Sequence, residues 1–192
     1  MKRIALLILL SLCIGTLFAE TRTLLAVATF DGTSTLHDFT GSGTSAPTRA
    51  TWIPLEEGRG VLSAKGIAFE VKSLSTDHKK RDKNMMKMFD PETHPLITGE
   101  IKDLRLGDPK AGKKEGQEAD KQDLTIQLNG KTLTVPITIT TFQTEGDAIS
   151  FTCSFSLSLE EAGLQRPSVL GLIRVGDNIA LTVYVTLTPQ KD

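Results

Sequence analysis

The stretch FTCSFSLSL, residues 151–159, puts Phe151, Cys153, Phe155, Leu157 and Leu159 on one side of an extended chain. Thr152, Ser154, Ser156 and Ser158 fall on the other. A two-residue period of this strictness is the mark of a β-strand with one face in a core and one face in water. LTVPITIT repeats it, with Leu133, Val135, Ile137 and Ile139 set against Thr134, Pro136, Thr138 and Thr140. So does the stretch from Ile179 to Thr188, where Ile179, Leu181, Val183, Val185 and Leu187 alternate with Ala180, Thr182, Tyr184, Thr186 and Thr188. Leu124, Ile126 and Leu128 follow the same rule more briefly. Asn129-Gly130 between two such runs is a strong hairpin signal. Further turns are expected at Glu145-Gly146-Asp147 and at Gly176-Asp177-Asn178.

The first half is less regular. Strands are expected over 23–30, 34–40, 48–54, 60–72 and 96–106. The run 60–72 places Val61, Ile67, Phe69 and Val71 on one face; Lys65 interrupts that face, and Gly66 suggests a bulge. Two segments break the alternation. TDHKKRDKNMMKMFDP, 76–91, reads as a helix capped by Thr76 or Asp77, with Met85, Met88 and Phe89 on one face and a stop at Asp90-Pro91. The segment 107–122 is poor in apolar residues and dense in mixed charge, and reads as a long solvated hairpin loop. Eight or nine short-linked antiparallel strands with one apolar face each can form a two-sheet sandwich or a closed barrel, and alternation does not separate the two.

Residues 1–19 are set apart from this pattern. A basic start, MKR, precedes a nearly unbroken apolar run that ends at Ala19, as in a secretory signal peptide cut before Glu20. The remaining 20–192 suits one domain with its own core and has no further apolar run long enough to span a bilayer. Loss of Lys2 and Arg3 with the leader moves the net charge from −1 to −3, so nothing points to nucleic acid. Loss of Cys13 leaves Cys153 alone, so a periplasmic or secreted chain would hold its fold without an internal disulfide.

Chemistry-bearing residues are few. STLHDFTGSG, residues 34–43, brings His37 and Asp38 together. In an extended strand such neighbours point to opposite faces, so Asp38 is not placed to orient His37 as a base. No G-x-S-x-G nucleophile elbow is present, and His37, His78 and His94 lack metal-ligand spacing. His37 is therefore expected as a structural or pocket-lining residue. Cys153, on an apolar face, reads as a small buried hydrophobe. Glu160-Glu161 reads as a turn. Lys79, Lys80, Arg81 and Asp82 at the helix start either form a solvated face or meet an anionic head group. No enzyme, metal or cofactor is expected.

Several motifs recur in a familiar order: S-T-L-H-D-F followed by G-x-G, then I-A-F-E-V-K-S-L-S-T, then a helix with K-R-D-x-x-M ending before H-P-L-I. An L-T-I-Q-L-N-G-K-T-L-T-V-P hairpin, G-L-Q-R-P-S and V-G-D-N-I-A-L-T-V-Y-V complete the series. Over nearly the whole of 20–192 this resembles the YceI-like family of bacterial envelope proteins. The resemblance implies an all-β, extended lipocalin-like, eight-stranded antiparallel β-barrel with one short helix near 76–89. It also implies an interior that holds a polyisoprenoid or similar apolar chain. The family's helix motif matches at Arg81, Asp82, Met85 and Phe89. Asn84 and Met85 stand where the lipid-binding form has histidine and leucine. The candidate wall of the binding space comprises Phe69, Val71, Met85, Met88 and Phe89, with Ile137, Phe155, Leu157 and Val183 from later strands. The functional expectation is a periplasmic or secreted carrier of an apolar, lipid-like molecule. The alternative is a filled barrel serving as a structural or protein-interaction module of the envelope. A hydrolase using His37 would need a polar cleft that the pattern does not supply.

Overall fold

The computed structural model describes residues 18–107, 122–169 and 173–190. Residues 1–17 of the expected leader 1–19, and 108–121 of the segment 107–122 expected as a charged loop, lie outside the described residues. The strands are β1 (Glu20–Ser34), β2 (Phe39–Thr44), β3 (Thr48–Pro54), β4 (Gly60–Glu70), β5 (Leu96–Leu106), β6 (Gln122–Leu128), β7 (Lys131–Glu145), β8 (Ala148–Ser158), β9 (Ser168–Val169) and β10 (Ile173–Pro189). One helix, α1 (Lys79–Phe89), lies between β4 and β5. Pairing runs β1-β3-β4-β5-β6-β7-β8-β10, all antiparallel, and β10 returns to β1 from Arg22↔Pro189 to Ser34↔Val175. The sheet is therefore a closed eight-position barrel, with β2 and β3 sharing one position along opposite halves of β1. Closure settles the choice between sandwich and barrel, because it removes both sheet edges.

The alternating runs behave as their period requires. Phe151, Cys153, Val135, Ile137, Val185 and Leu187 face inward and are buried. Asn129 and Gly130, at φ of 51° and 73°, make the tight turn between β6 and β7, a backbone region that Asn and Gly tolerate.

Three expectations are corrected. First, the bulge at Lys65-Gly66 exists, with Gly66 at φ 74°, and it reverses the faces of β4. Before the bulge Leu62 and Ala64 point inward and Val61 does not; after it Ile67 and Phe69 do. A compensating extra residue on β5, at Lys102-Asp103, restores the register. Second, 34–40 is not one strand. Ser34 ends β1 and its hydroxyl closes a turn, accepting from the N–H groups of Leu36 (3.3 Å) and His37 (3.1 Å) and donating to the His37 carbonyl (2.6 Å). Third, Gly176-Asp177-Asn178 is no hairpin turn but a bulge inside β10, three residues lying between the partners of Gly32 and Ser34. The bulge turns Asp177 toward the β8 end, where it accepts from Ser158 Oγ (2.6 Å) and the Glu160 N–H (2.9 Å).

The barrel has a floor and a mouth. At the floor, where β1 begins and β5 and β10 end, Leu24, Leu62, Leu104, Leu106 and Leu187 are at most 2% exposed around Trp52 and Phe151. Trp52 lies so close over Gly60 that a Cβ there would stand 2.1 Å from its ring. At the other end α1, the β1–β2 turn and the turn after β8 cover the opening.

Candidate ligand-binding cavity

The barrel end opposite the floor is hollow. A cavity of about 690 Å³ runs down between the strands, within the range of small-molecule sites. Its wall follows β1 from Ala26 through Ala28 and Phe30 to Ser34, and β8 from Phe151 to Leu157. The β1 span, eight steps along the chain, corresponds to about 27 Å of strand, or roughly 20 Å along the axis at a usual barrel tilt, and the six-step β8 span to about 20 Å of strand. Small inward residues at mid-height (Ala26, Ala28 and Gly99) leave the space that leucines and Trp52 fill below.

The glycines of STLHDFTGSG stand behind two residues of this wall, Phe30 and Leu74. A Cβ on Gly41 would lie 2.2 Å from Phe30 Cζ, and one on Gly43 would lie 2.5 Å from Leu74 Cδ2. Both positions are hollowed so that Phe30 and Leu74 can lie flat against β2. The Ser75 backbone crosses there as well, exchanging N–H···O bonds with Ser42 at 2.8 and 3.0 Å.

Helix α1 roofs the cavity. Its straight-chain Lys, Arg and Met residues favour a helix, and Met85 and Phe89, one turn apart, bury its inner face. The cap is His78, not Thr76 or Asp77: its Nδ1 accepts from the Arg81 N–H at 3.4 Å. Thr76 is instead a donor, giving its N–H (2.8 Å) and hydroxyl (2.6 Å) to Asp82 Oδ1, while Ser75 Oγ reaches Oδ2 at 3.3 Å. Partial desolvation pushes the Asp82 carboxyl up, but these bonds and the Arg81 charge outweigh it and hold the group below the usual carboxylate range. Asp90, in the left-handed region at φ 47°, ends the helix before Pro91, as expected.

Of the residues singled out from sequence, Phe69, Arg81, Met85, Met88 and Phe89 stand on the cavity wall, as do Ile137, Phe155, Leu157 and Val183. Val71 and Asp82 do not. Val71 opens a single 3₁₀ turn after β4, donates its N–H to the Pro95 carbonyl at 2.9 Å, and is buried behind the wall at 1% exposure. Asp82 is turned back onto the Ser75-Thr76 segment. The mouth holds residues that alternation did not reveal: Leu36 and His37 from the β1–β2 turn, Phe39, Leu74, and His78, Lys80 and Asn84 around α1. Arg81 stacks on Phe39 with its guanidinium carbon 5.1 Å from the ring centroid, joining the roof to β2. The Phe30, Phe39 and paired-glycine pattern across the β1–β2 turn was the available signal for that rim. Leu36, 61% exposed and also on the wall, marks the open side. Cys153 faces the cavity from β8, and burial pushes its thiol up to about 11. Among the described residues no three His, Cys, Asp or Glu side chains group as metal ligands, and no helix is long and apolar enough to cross a membrane.

A closed antiparallel barrel, filled at one end and hollow and apolar at the other, defines a lipocalin-like binding barrel. The family model of the YceI-like domain matches residues 18–187, and the chain belongs to that family. Among solved structures it is similar to BcnA of Burkholderia cenocepacia, with TM-score 0.56 and 14% identity over 84% of this chain and 95% of that one. It is also similar to a polyisoprenoid-binding domain from Saccharophagus degradans implicated in plant cell wall breakdown, with TM-score 0.55 and 12% identity over 90% of this chain and 100% of that one. None of the curated proteins matches the sequence.

Proposed function

We propose that the protein is a periplasmic or secreted carrier that encloses one apolar, chain-like molecule, of the polyisoprenoid kind, inside its barrel. The observation that carries this reading is a set of inward-facing apolar side chains that nothing among the described residues covers. Phe30, Phe69, Phe155, Leu157 and Leu181 point into a closed barrel and yet are only half-buried, because they face the cavity. Burial of a methylene is worth about 0.8 kcal/mol, so ten of them contribute about 8 kcal/mol before association and ordering subtract about 4 kcal/mol or more. A chain-like tail therefore binds without a polar anchor deep in the barrel. Membership of the YceI-like family and the likeness to a polyisoprenoid-binding domain support the same ligand class. Export is supported by the basic and apolar residues of 1–19, and a cut before Glu20 leaves β1 whole. The proposed role is binding, not catalysis.

The test is native mass spectrometry of the protein from its own host, followed by organic extraction. The expected result is a chain beginning at Glu20 that carries one lipid-sized adduct, released into solvent. A bare mass, with no uptake of prenyl lipids on titration, would overturn the carrier reading and favour the ligand-free envelope module.

A further inference from the structure

The cavity ends on one level. On β1 its wall includes Ala26 but not Leu24, the next inward residue below; on β10 it includes Val185 but not Leu187, and on β8 Phe151 but not Ile149. The three last wall residues are neighbours in register, Ala26 with Val185 and Val185 with Phe151. The rung beneath is closed among the described residues: Leu24 and Leu187 are 0% exposed, Ile149 is 5% exposed, and Trp52 packs with them. The depth of the space is thus set where β1 changes from leucine to alanine, with Phe151 as the largest side chain on the last open rung.

The narrow side chains above that rung are not demanded by packing. A Cβ on Gly99 would meet nothing nearer than 3.8 Å, an ordinary contact, and its backbone is not left-handed. Strand β5 would accept a side chain there, whereas Gly41 and Gly60 are pressed against aromatic rings. A glycine inside a strand costs stability through chain entropy and lost contacts. Gly99, with Ala26 and Ala28, therefore keeps a shaft open where larger residues would have extended the core.

The dimensions of the shaft select a chain. A volume of about 690 Å³ over a depth of roughly 20 Å gives a mean cross-section of about 35 Å². An extended hydrocarbon advances about 1.25 Å per carbon, and each carbon group takes about the 30 Å³ of one water, so a straight chain has a section of about 24 Å² and two abreast about 48 Å². A chain with a methyl on every fourth carbon has a section of about 30 Å² and repeats every ~5 Å, so about four such repeats span the depth and take up about 600 Å³. One branched chain fits; a straight chain leaves gaps, and a pair does not enter.

Resting on the carrier reading above, we infer that the barrel floor is a ruler, which admits one methyl-branched chain of about four isoprene units. Phe151 and Ala28 set its length. A shorter chain leaves apolar wall uncovered, and the excess of a longer one stays in water at the mouth. Ala28 is the inward residue above Ala26, so a large side chain there raises the stop by about 5 Å, or one isoprene unit.

The test is a fluorescence-displacement titration of the delipidated protein with geraniol, farnesol, geranylgeraniol and geranylfarnesol, which have two, three, four and five units, and with eicosan-1-ol. The head is a hydroxyl throughout, so only the chain varies. Each unit up to the fourth is expected to tighten binding by about tenfold or more, and the fifth by less than about threefold. Eicosan-1-ol has as many carbons as geranylgeraniol but an extended length of about 25 Å, and should bind about tenfold more weakly. In A28F the gain should stop after the third unit, G99L should shift it in the same direction, and F151A should extend it to the fifth. A28F and G99L add volume to an open wall, so they carry the test where F151A fails to fold. A fifth unit that tightens binding as much as the fourth, or a stop that neither A28F nor G99L moves, overturns the ruler and leaves the carrier reading intact. Eicosan-1-ol binding as tightly as geranylgeraniol overturns the assignment to a branched chain. Binding of none of the prenols overturns both the ruler and the carrier reading.

Discussion

At the floor of the barrel Leu24, Leu62 and Leu187 are fully buried; at the mouth end Phe30, Phe155, Leu157 and Leu181 point inward just as they do and remain half-buried. Both regions are built from the same long strands, β1, β8 and β10, with the same alternation. Two things separate them. Below, side-chain volume is concentrated: Trp52 lies over Gly60, and leucines from β4, β5 and β10 meet Phe151. Above, mid-height positions carry Ala26, Ala28 and Gly99, while the large side chains Phe30 and Leu74 lie flat against glycines of β2. The wall is thus lined with aromatics without its centre being filled. Stability is lodged in the floor, and the apolar surface left uncovered at the other end is available to a ligand.

The comparison breaks most readily at the floor. Trp52→Ala opens a void in the packed end and is expected to destabilise by about 3–5 kcal/mol in urea unfolding. Leu157→Ala, on the cavity wall, removes a side chain that already faces open space and should cost less than about 1.5 kcal/mol. Equal losses at both sites would mean that the upper barrel is as tightly packed as the floor. Next in size is Gly60→Ala, whose new methyl meets the Trp52 ring and is expected to cost about 1–3 kcal/mol. The opposite manipulation sharpens the contrast. Val183→Phe adds volume to the cavity wall, so thermal stability should hold or rise by up to about 2 kcal/mol while uptake of a prenyl lipid falls.

A smaller effect separates the two ends by pH. Asp82 ties the α1 segment to Thr76. Asp177 ties the β10 bulge to Ser158 and the Glu160 N–H, whose bonds, with a lesser contribution from Arg166, outweigh desolvation. Both carboxyls lie below their ordinary range in the folded chain. Each therefore contributes stability that is present above that range and is lost as the pH falls below about 4. Hydrogen exchange at pH 3–4 should open α1 and the turn after β8 before the floor strands, and D82N and D177N should flatten that acid response. The smallest effect is chemical. With its thiol pushed up to about 11 inside the barrel, Cys153 should alkylate slowly at pH 8, and a bound ligand should slow it further. Rapid labelling that ligand does not change would place Cys153 outside the occupied space.

Much of this molecule is legible one strand at a time. FTCSFSLSL and the run 179–188 declared their inner faces correctly, because a two-residue alternation is a local property of an extended chain. Asn129-Gly130 and the stop at Asp90-Pro91 are equally local. The misreadings arose where a local signal served a distant partner. Gly176-Asp177-Asn178 has turn chemistry, but β1 continues alongside it, so the chain bulges and does not reverse. Val61 kept pace with Ile67 by count, yet the extra residue at Lys65-Gly66, matched by one on β5, exchanged the faces. Val71 and Asp82 carried the right chemistry for the site and were turned away from it by a 3₁₀ turn and by Thr76.

By itself, then, the sequence determined an all-β chain of one-faced strands with a single cationic helix, since period, turn chemistry and capping act within a few residues. Tertiary structure alone decided that the sheet closes, that its lower half is solid and its upper half hollow, and that His37, Lys80 and Arg81 converge on the opening. Those outcomes depend on the summed volume and placement of side chains from eight barrel positions, which strands far apart in the chain bring to the same height only when the sheet closes on itself.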